Sequence, residues 1–141
     1  MTSIAPAHIG MLFQFRIQPA QLLNPKMTAV MVEQAIASGP AWGAMRDGKP
    51  IALGGAQIMT RDRAVIWGVL SDSIGASMTP IHRIVRHTLE VLPFRRLEAH
   101  VDVEHAEAHR WIALLGFEQE GVMRQFYEGR DFALYARVKH G

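Results

Sequence analysis

Apolar residues recur along this chain with two spacings, and the spacing changes from segment to segment. Arg96 to Val103 alternates strictly, with Leu97, Ala99, Val101 and Val103 on one side and Glu98, His100 and Asp102 on the other. That two-residue period predicts a strand. Ile81, Ile84, Val85, Leu89 and Leu92 instead recur every three or four residues, with His82, Arg83, Arg86 and Glu90 on the opposite face. This stretch is predicted to be an amphipathic helix. Thr79 is placed to cap it, Pro80 suits its first position, and Pro93 ends it.

The same reading extends to the rest of the chain. Met11 to Ile17 is apolar enough for a first strand, and Asn24-Pro25 then breaks the chain. Met27 to Ala37 reads as a helix stopped by Ser38-Gly39-Pro40. Ala41 to Arg46 and Pro50 to Met59 are predicted strands joined at Asp47-Gly48, a strong hairpin signal. After a turn at Thr60-Arg61-Asp62, Arg63 to Leu70 forms a further strand, followed by a loop of small residues from Ser71 to Ser77. A last helix runs from about Glu104 to Leu115, with Gly116 as its left-handed stop. Phe117 to Phe126 and Asp131 to Val138 make a hairpin around Glu128-Gly129. The predicted order is β-α-β-β-β-α-β-α-β-β, an α/β sheet with helices on both faces.

Length and composition narrow the classes. At 141 residues the chain is expected to be a single domain, 1–141, able to bury its own core. Hydrophobic residues make up 49% and charged residues 20%, which predicts ordinary globular packing. There is no cysteine, so disulfides, thiolate metal sites and cysteine nucleophiles are excluded. No apolar run approaches the roughly 20 residues of a membrane span. Met1 to Gly10 shows no basic segment followed by an apolar one, so a cytoplasmic protein with no membrane partner is expected. Twelve of the fifteen basic residues are arginines, and arginine suits bidentate phosphate contacts.

The run Ala108-His109-Arg110-Trp111-Ile112-Ala113-Leu114-Leu115-Gly116-Phe117-Glu118-Gln119-Glu120-Gly121-Val122-Met123-Arg124 is similar to the C-terminal signature of the GCN5-related N-acetyltransferase (GNAT) superfamily. Within it, the Gly116 to Arg124 tail looks most like the ribosomal-protein N-terminal acetyltransferase branch. The short, divergent chain also resembles domains of phage or prophage type. The resemblance implies a mixed, mostly antiparallel central sheet of six to seven strands, three to four helices, and splayed fourth and fifth strands. It implies acetyl-CoA as acyl donor in the gap between those strands, with its diphosphate on amides at a helix start. Val69, Leu70, Ser71, Gly75, Ala76, Ser77 and Met78 occupy that place here.

The family loop reads Gln or Arg, two residues, Gly, one residue, then Gly or Ala; here Asp72, Gly75 and Ser77 stand at those positions, and only Gly75 fits. A family asparagine position falls on His105, a candidate donor to the cofactor or a cap. The tyrosine that usually protonates the leaving thiolate falls on Ile112, which has no proton to give.

The acceptor implied is an amine, on a small molecule or a protein N-terminus. Neutralising a lysine at pH 7 costs about 4–5 kcal/mol and an α-amine about 1–1.5 kcal/mol, so sparse acid–base equipment suits an α-amine. Glu98 and His100, on the polar face of their strand, are the candidate bases. Their alternative is a polar face covered by helix residues or solvent. His105 and His109 have the i,i+4 spacing of a helical metal pair but lack a third ligand, and no metal is expected. Trp42, Trp67 and Trp111 are read as core, with Trp67 a second choice as an acyl-pocket wall. Tyr127 and Tyr135 could each offer a hydroxyl.

Direct transfer in a ternary complex is the leading mechanism. A non-catalytic structural or partner-binding use of the same fold is the alternative. Nucleic-acid binding through Arg83, Arg86, Arg95 and Arg96 ranks last, because no aromatic-plus-basic pattern accompanies them. A homodimer is compatible with all of these.

Overall fold

A computed structural model of the chain describes residues 2–21 and 24–139. Met1, first of the segment read for an export signal, and Gly141, last of the expected domain, lie outside the described residues. Seven strands form one sheet: β1 (Thr2–Pro6), β2 (Ala41–Arg46), β3 (Lys49–Thr60), β4 (Arg63–Leu70), β5 (Arg96–Asp102), β6 (Glu118–Tyr127) and β7 (Arg130–Val138). Their order is β1-β2-β3-β4-β5-β7-β6. β4 and β5 run parallel, while β1–β2, β2–β3, β5–β7 and β6–β7 are antiparallel. Helices α1 (Pro25–Ala37), α2 (Met78–Val91) and α3 (Ala106–Leu114) flank the sheet. No helix among the described residues is long and apolar enough to cross a membrane. The chain divides into two compact units, Met1–Gln57 with Trp67–Leu92 and Ile58–Ile66 with Pro93–Gly141.

In the first unit the opening strand differs from the sequence expectation. Met11 to Ile17 is not a strand; Ile9–Gln14 is a 3-10 turn, and Ile17 makes an isolated bridge to Ser71. The edge strand lies earlier, with Thr2 opposite Arg46 and Pro6 opposite Trp42. The reason is packing. Met11 and Leu12 are consecutive and both buried against Val32, Leu53 and Val69, while Phe13 is 72% exposed. Neighbouring residues share a face on a helical turn but not on a pleat.

α1 starts where Asn24 Oδ1 accepts the Met27 N–H at 3.2 Å, with Pro25 in the first turn. Asp47 and Gly48 take φ of 51° and 80°, the paired left-handed geometry of a tight hairpin. α2 begins one residue before Thr79, which is therefore not its cap. A 3-10 turn over Gly75–Ser77 runs directly into the helix, and Ser77 stands at the cap without a side-chain capping bond. Gly75, at φ 47°, turns the chain early enough to start the winding there.

In the second unit β5 is the central ladder. It pairs with β7 from Arg96 opposite Val138 to Asp102 opposite Phe132. Arg63 to Ile66 of β4 pair with Arg96 to Ala99. α3 ends as expected at Gly116, φ 90°. Phe117 N–H donates to Ile112 O at 3.2 Å and Gly116 N–H to Ala113 O at 3.0 Å, the double closure of a Schellman stop. β6 and β7 join through Glu128 and Gly129, φ 51° and 69°. β6 slips register between Gln119 and Gly121 and again between Met123 and Tyr127, with Gln125 at φ 49°.

Candidate functional site

The segment expected to hold an acyl donor begins as β4 ends. Val69 is a core side chain, buried with Met11, Leu12, Val32 and Leu53. Ser71 is 2% exposed; its N–H donates to Ile51 O at 2.8 Å, and its Oγ accepts the Ser73 N–H at 3.1 Å. These bonds fix the exit from the strand. Ala76 is exposed, Ser77 buried and Met78 half-buried. A Cβ added at Gly75 would meet nothing within 4 Å, so the loop is open to its surroundings there.

Arg46 is the residue that sequence reasoning missed. At the end of β2, its Nη1 donates to Ser73 O at 3.2 Å and to Ser77 Oγ at 3.0 Å. A guanidinium beside a helix start adds a full positive charge to the partial one of the peptide dipoles. No spacing in the sequence links residue 46 to residues 73 and 77; only the fold does. Asp72, the residue out of keeping with an anion site, sits 3.6 Å from Arg16 Nε, and its N–H donates to Arg16 O at 2.7 Å. Its charge is locally balanced.

Leu70 was expected to offer its backbone to a ligand. Instead its N–H donates to Gln21 Oε1 at 2.9 Å, and its carbonyl accepts the Gln18 N–H at 2.9 Å. The neighbouring Gly68 carbonyl accepts from Gln21 Nε2 at 3.1 Å.

In the second unit, Glu98, His100 and Asp102 share the polar face of β5, as the alternation predicts. Glu98 is buried and held by two guanidinium groups: Arg63 Nε at 2.5 Å and Arg96 Nε at 2.7 Å. Arg96 continues to Glu120, 2.6 Å away. The Arg63 guanidinium, with Arg96 behind it, outweighs burial and holds the Glu98 carboxyl down at about 2. Asp102 is gripped by Arg130 at 2.6 Å, and Arg130 also bonds Glu104. Burial pushes Asp102 up, but Arg130 and the Glu104 N–H prevail and its value falls.

His100 lies between the two carboxylates, its side chain 27% exposed, with Nε2 4.0 Å from Glu98 Oε1. Phe126 meets its ring edge-on at 5.0 Å. Burial lowers the His100 value and Arg63 adds to the fall, while Glu98 pulls the other way. Of the two side chains named as bases, the imidazole is neutral and accessible, whereas the carboxylate is already engaged.

His105 stands at the α3 cap position with no side-chain capping bond, and burial lowers its value. Ile112, at the family's tyrosine position, is buried. His109 joins Tyr135 Oη at 2.7 Å and the Asp102 carbonyl at 3.0 Å, so the Tyr135 hydroxyl is committed. The Tyr127 hydroxyl and the Trp67 indole N–H are buried without partners. Trp67 packs against the cluster around Leu53. Among the described residues, no group of three or more His, Asp or Glu side chains is gathered for a metal.

No family model matches the sequence, and no curated protein matches it. Solved structures do match over the whole chain. The ribosomal-protein-S18-alanine N-acetyltransferase from Escherichia coli is 17% identical with a TM-score of 0.76, covering 100% of this chain and 97% of that one. A GNAT-family acetyltransferase from Bacillus cereus ATCC 10987 is 14% identical with a TM-score of 0.72, covering 100% and 99%. An IAA acetyltransferase from Bacillus cereus ATCC 14579 is 12% identical with a TM-score of 0.75, covering 99% and 100%. With its parallel β4–β5 pair inside a mostly antiparallel sheet, the chain has the fold of the GCN5-related N-acetyltransferases.

Proposed function

We propose that the chain is an N-acyltransferase that moves an acetyl group from acetyl-CoA to a primary amine, with a protein α-amine as the favoured acceptor. One observation carries this reading: the Ser71–Met78 loop is open over Gly75 and has Arg46 docked on it. Arg46 and the amides at the start of α2 would hold the diphosphate of the donor, with Ser71, Ala76, Ser77 and Met78 shaping the loop. His105 would serve as a donor to the bound cofactor. The Arg16 guanidinium beside Asp72 offsets part of the repulsion that its charge would cause.

In the transfer, the amine nitrogen attacks the thioester carbonyl, the C–S bond breaks, and the sulfur leaves with its electron pair. The proton lost by nitrogen passes to His100. Glu98, fixed by Arg63 and Arg96, would stand beside His100 as a fixed charge 4.0 Å away rather than accept the proton itself. An α-amine suits this equipment because its neutral form is within about 1–1.5 kcal/mol at pH 7. The likeness to an alanine N-acetyltransferase points the same way.

Acetyl-CoA should raise the melting temperature of the protein, and Gly75→Glu should remove the rise by setting a carboxylate against the diphosphate. Arg46→Ala should weaken binding about tenfold through loss of charge-assisted bonds. A thermal-shift titration reads all three. No shift at millimolar acetyl-CoA leaves a partner-binding use of the fold.

A further inference from the structure

Gln18 to Gln21 lie along the edge of β4 opposite β3. The Ser71 N–H turns toward β3, where it meets Ile51 O. Gly68, Leu70 and Asp72, one residue out of phase, turn their backbone groups the other way. All three are met by this chain's own residues. Asp72 N–H donates to Arg16 O at 2.7 Å, and Leu70 O accepts the Gln18 N–H at 2.9 Å. The carboxamide of Gln21 bridges Leu70 N–H at 2.9 Å and Gly68 O at 3.1 Å. Gln18 Nε2 adds a long bond to Ser71 O at 3.4 Å.

The bridge made by Gln21 has a specific chemistry. In a parallel ladder, one residue donates to the carbonyl before its partner and accepts from the N–H after it. The Gln21 carboxamide does this around Val69, so a side-chain amide stands where the amide of an extended chain would stand. The pantetheine arm of an acyl-CoA is such a chain, with two secondary amides. Gln21 is half-buried, its bond to Gly68 O exposed and its bond from Leu70 N–H part-buried, so water reaches at least the first contact when the side chain leaves.

We propose that Gln21, with the Gln18 segment, is a built-in occupant of the β4 edge that an amide-bearing acyl donor must displace before it can bind. The proposal rests on the acyl-CoA reading above. It makes the resting protein a weak binder, because only the fraction with the edge released is competent.

The test is calorimetric titration of acetyl-CoA into the full chain and into Gln21→Ala, with amide NMR of the Gln21 side chain in parallel. Gln21→Ala should bind on the order of tenfold more tightly, since the competing bonds are gone. Saturating acetyl-CoA should move the Gln21 NH2 signals of the unsubstituted protein toward solvent values. Equal or weaker binding by the variant, or unmoved signals at saturation, overturns the displacement and leaves the acyl-CoA reading intact. No binding by either protein, when both melt cooperatively, overturns both. Should Gln21→Ala misfold, Gln21→Asn, one methylene too short to bridge, replaces it with the same expected outcomes.

Discussion

Glu98 and His100 stand two residues apart on one face of β5, yet their prospects as bases are opposite. A carboxyl held at about 2 gives up its proton far too readily to take one from an amine at neutral pH. An imidazole lowered by burial is neutral at pH 7 and free to accept. His100→Gln is therefore expected to cut kcat/KM on the order of a hundredfold. The same change should remove the acidic limb of the pH–rate profile below 6.5, the ordinary imidazole value. A profile with that limb intact in the variant would remove His100 from the chemistry. The alternation of Leu97, Ala99 and Val101 made the shared face legible in the sequence. The convergence of Arg63 and Arg96 on Glu98, with Glu120 held in turn by Arg96, was legible only in the i,i+2 pair Arg96 and Glu98. Arg63 and Glu120 come from other strands, and no local spacing joins them to it.

Among the elements, those with local punctuation were the readable ones. Asp47-Gly48, Glu128-Gly129 and Gly116 each mark a left-handed turn that glycine or its neighbour accepts, and each falls where expected. The Met11–Ile17 stretch was misread because a short apolar run suits a strand as well as a helical turn. The burial of consecutive Met11 and Leu12 shows only in the folded core. Thr79 and Pro80 look like a helix start, but the Gly75 turn had already begun winding the chain. Gly116 is the sharpest test at this scale. With φ at 90°, and Arg137 Nε 3.3 Å from an added Cβ, Gly116→Ala should cost about 1–2 kcal/mol. For a chain of this size that is a fall of roughly 3–8 °C in melting temperature by calorimetry.

For the molecule as a whole, the shifted carboxylates and histidines push stability the same way with acid. Glu98, Asp102 and Glu120 titrate below their ordinary values, so the stability they confer is present above about 4.5 and lost as pH falls toward 2. His100 and His105 are also lowered. The unfolded chain therefore takes up protons near 6.5 before the native one does, and stability begins to fall there. Urea unfolding followed from pH 7.5 to pH 3 should show both declines. The steeper one lies below 4.5, with Glu98 contributing at most about 3 kcal/mol. If Glu98→Gln keeps the full decline below 4.5, the arginine clamp is not its source. At this scale the strands from β2 onward were readable from period and turns, and the family fold from the resemblance of the C-terminal run. β1 and the occupied β4 edge were not, the latter because it depends on contacts some fifty residues apart. The two rims of the sheet carry a last consequence. One rim is the five-residue β1, closed by Pro6, which has no N–H to lend; the other is β6, twice knocked out of register. Among the described residues neither rim presents a long straight run of peptide groups, a geometry that discourages edge-to-edge pairing between copies of the protein in crowded solution.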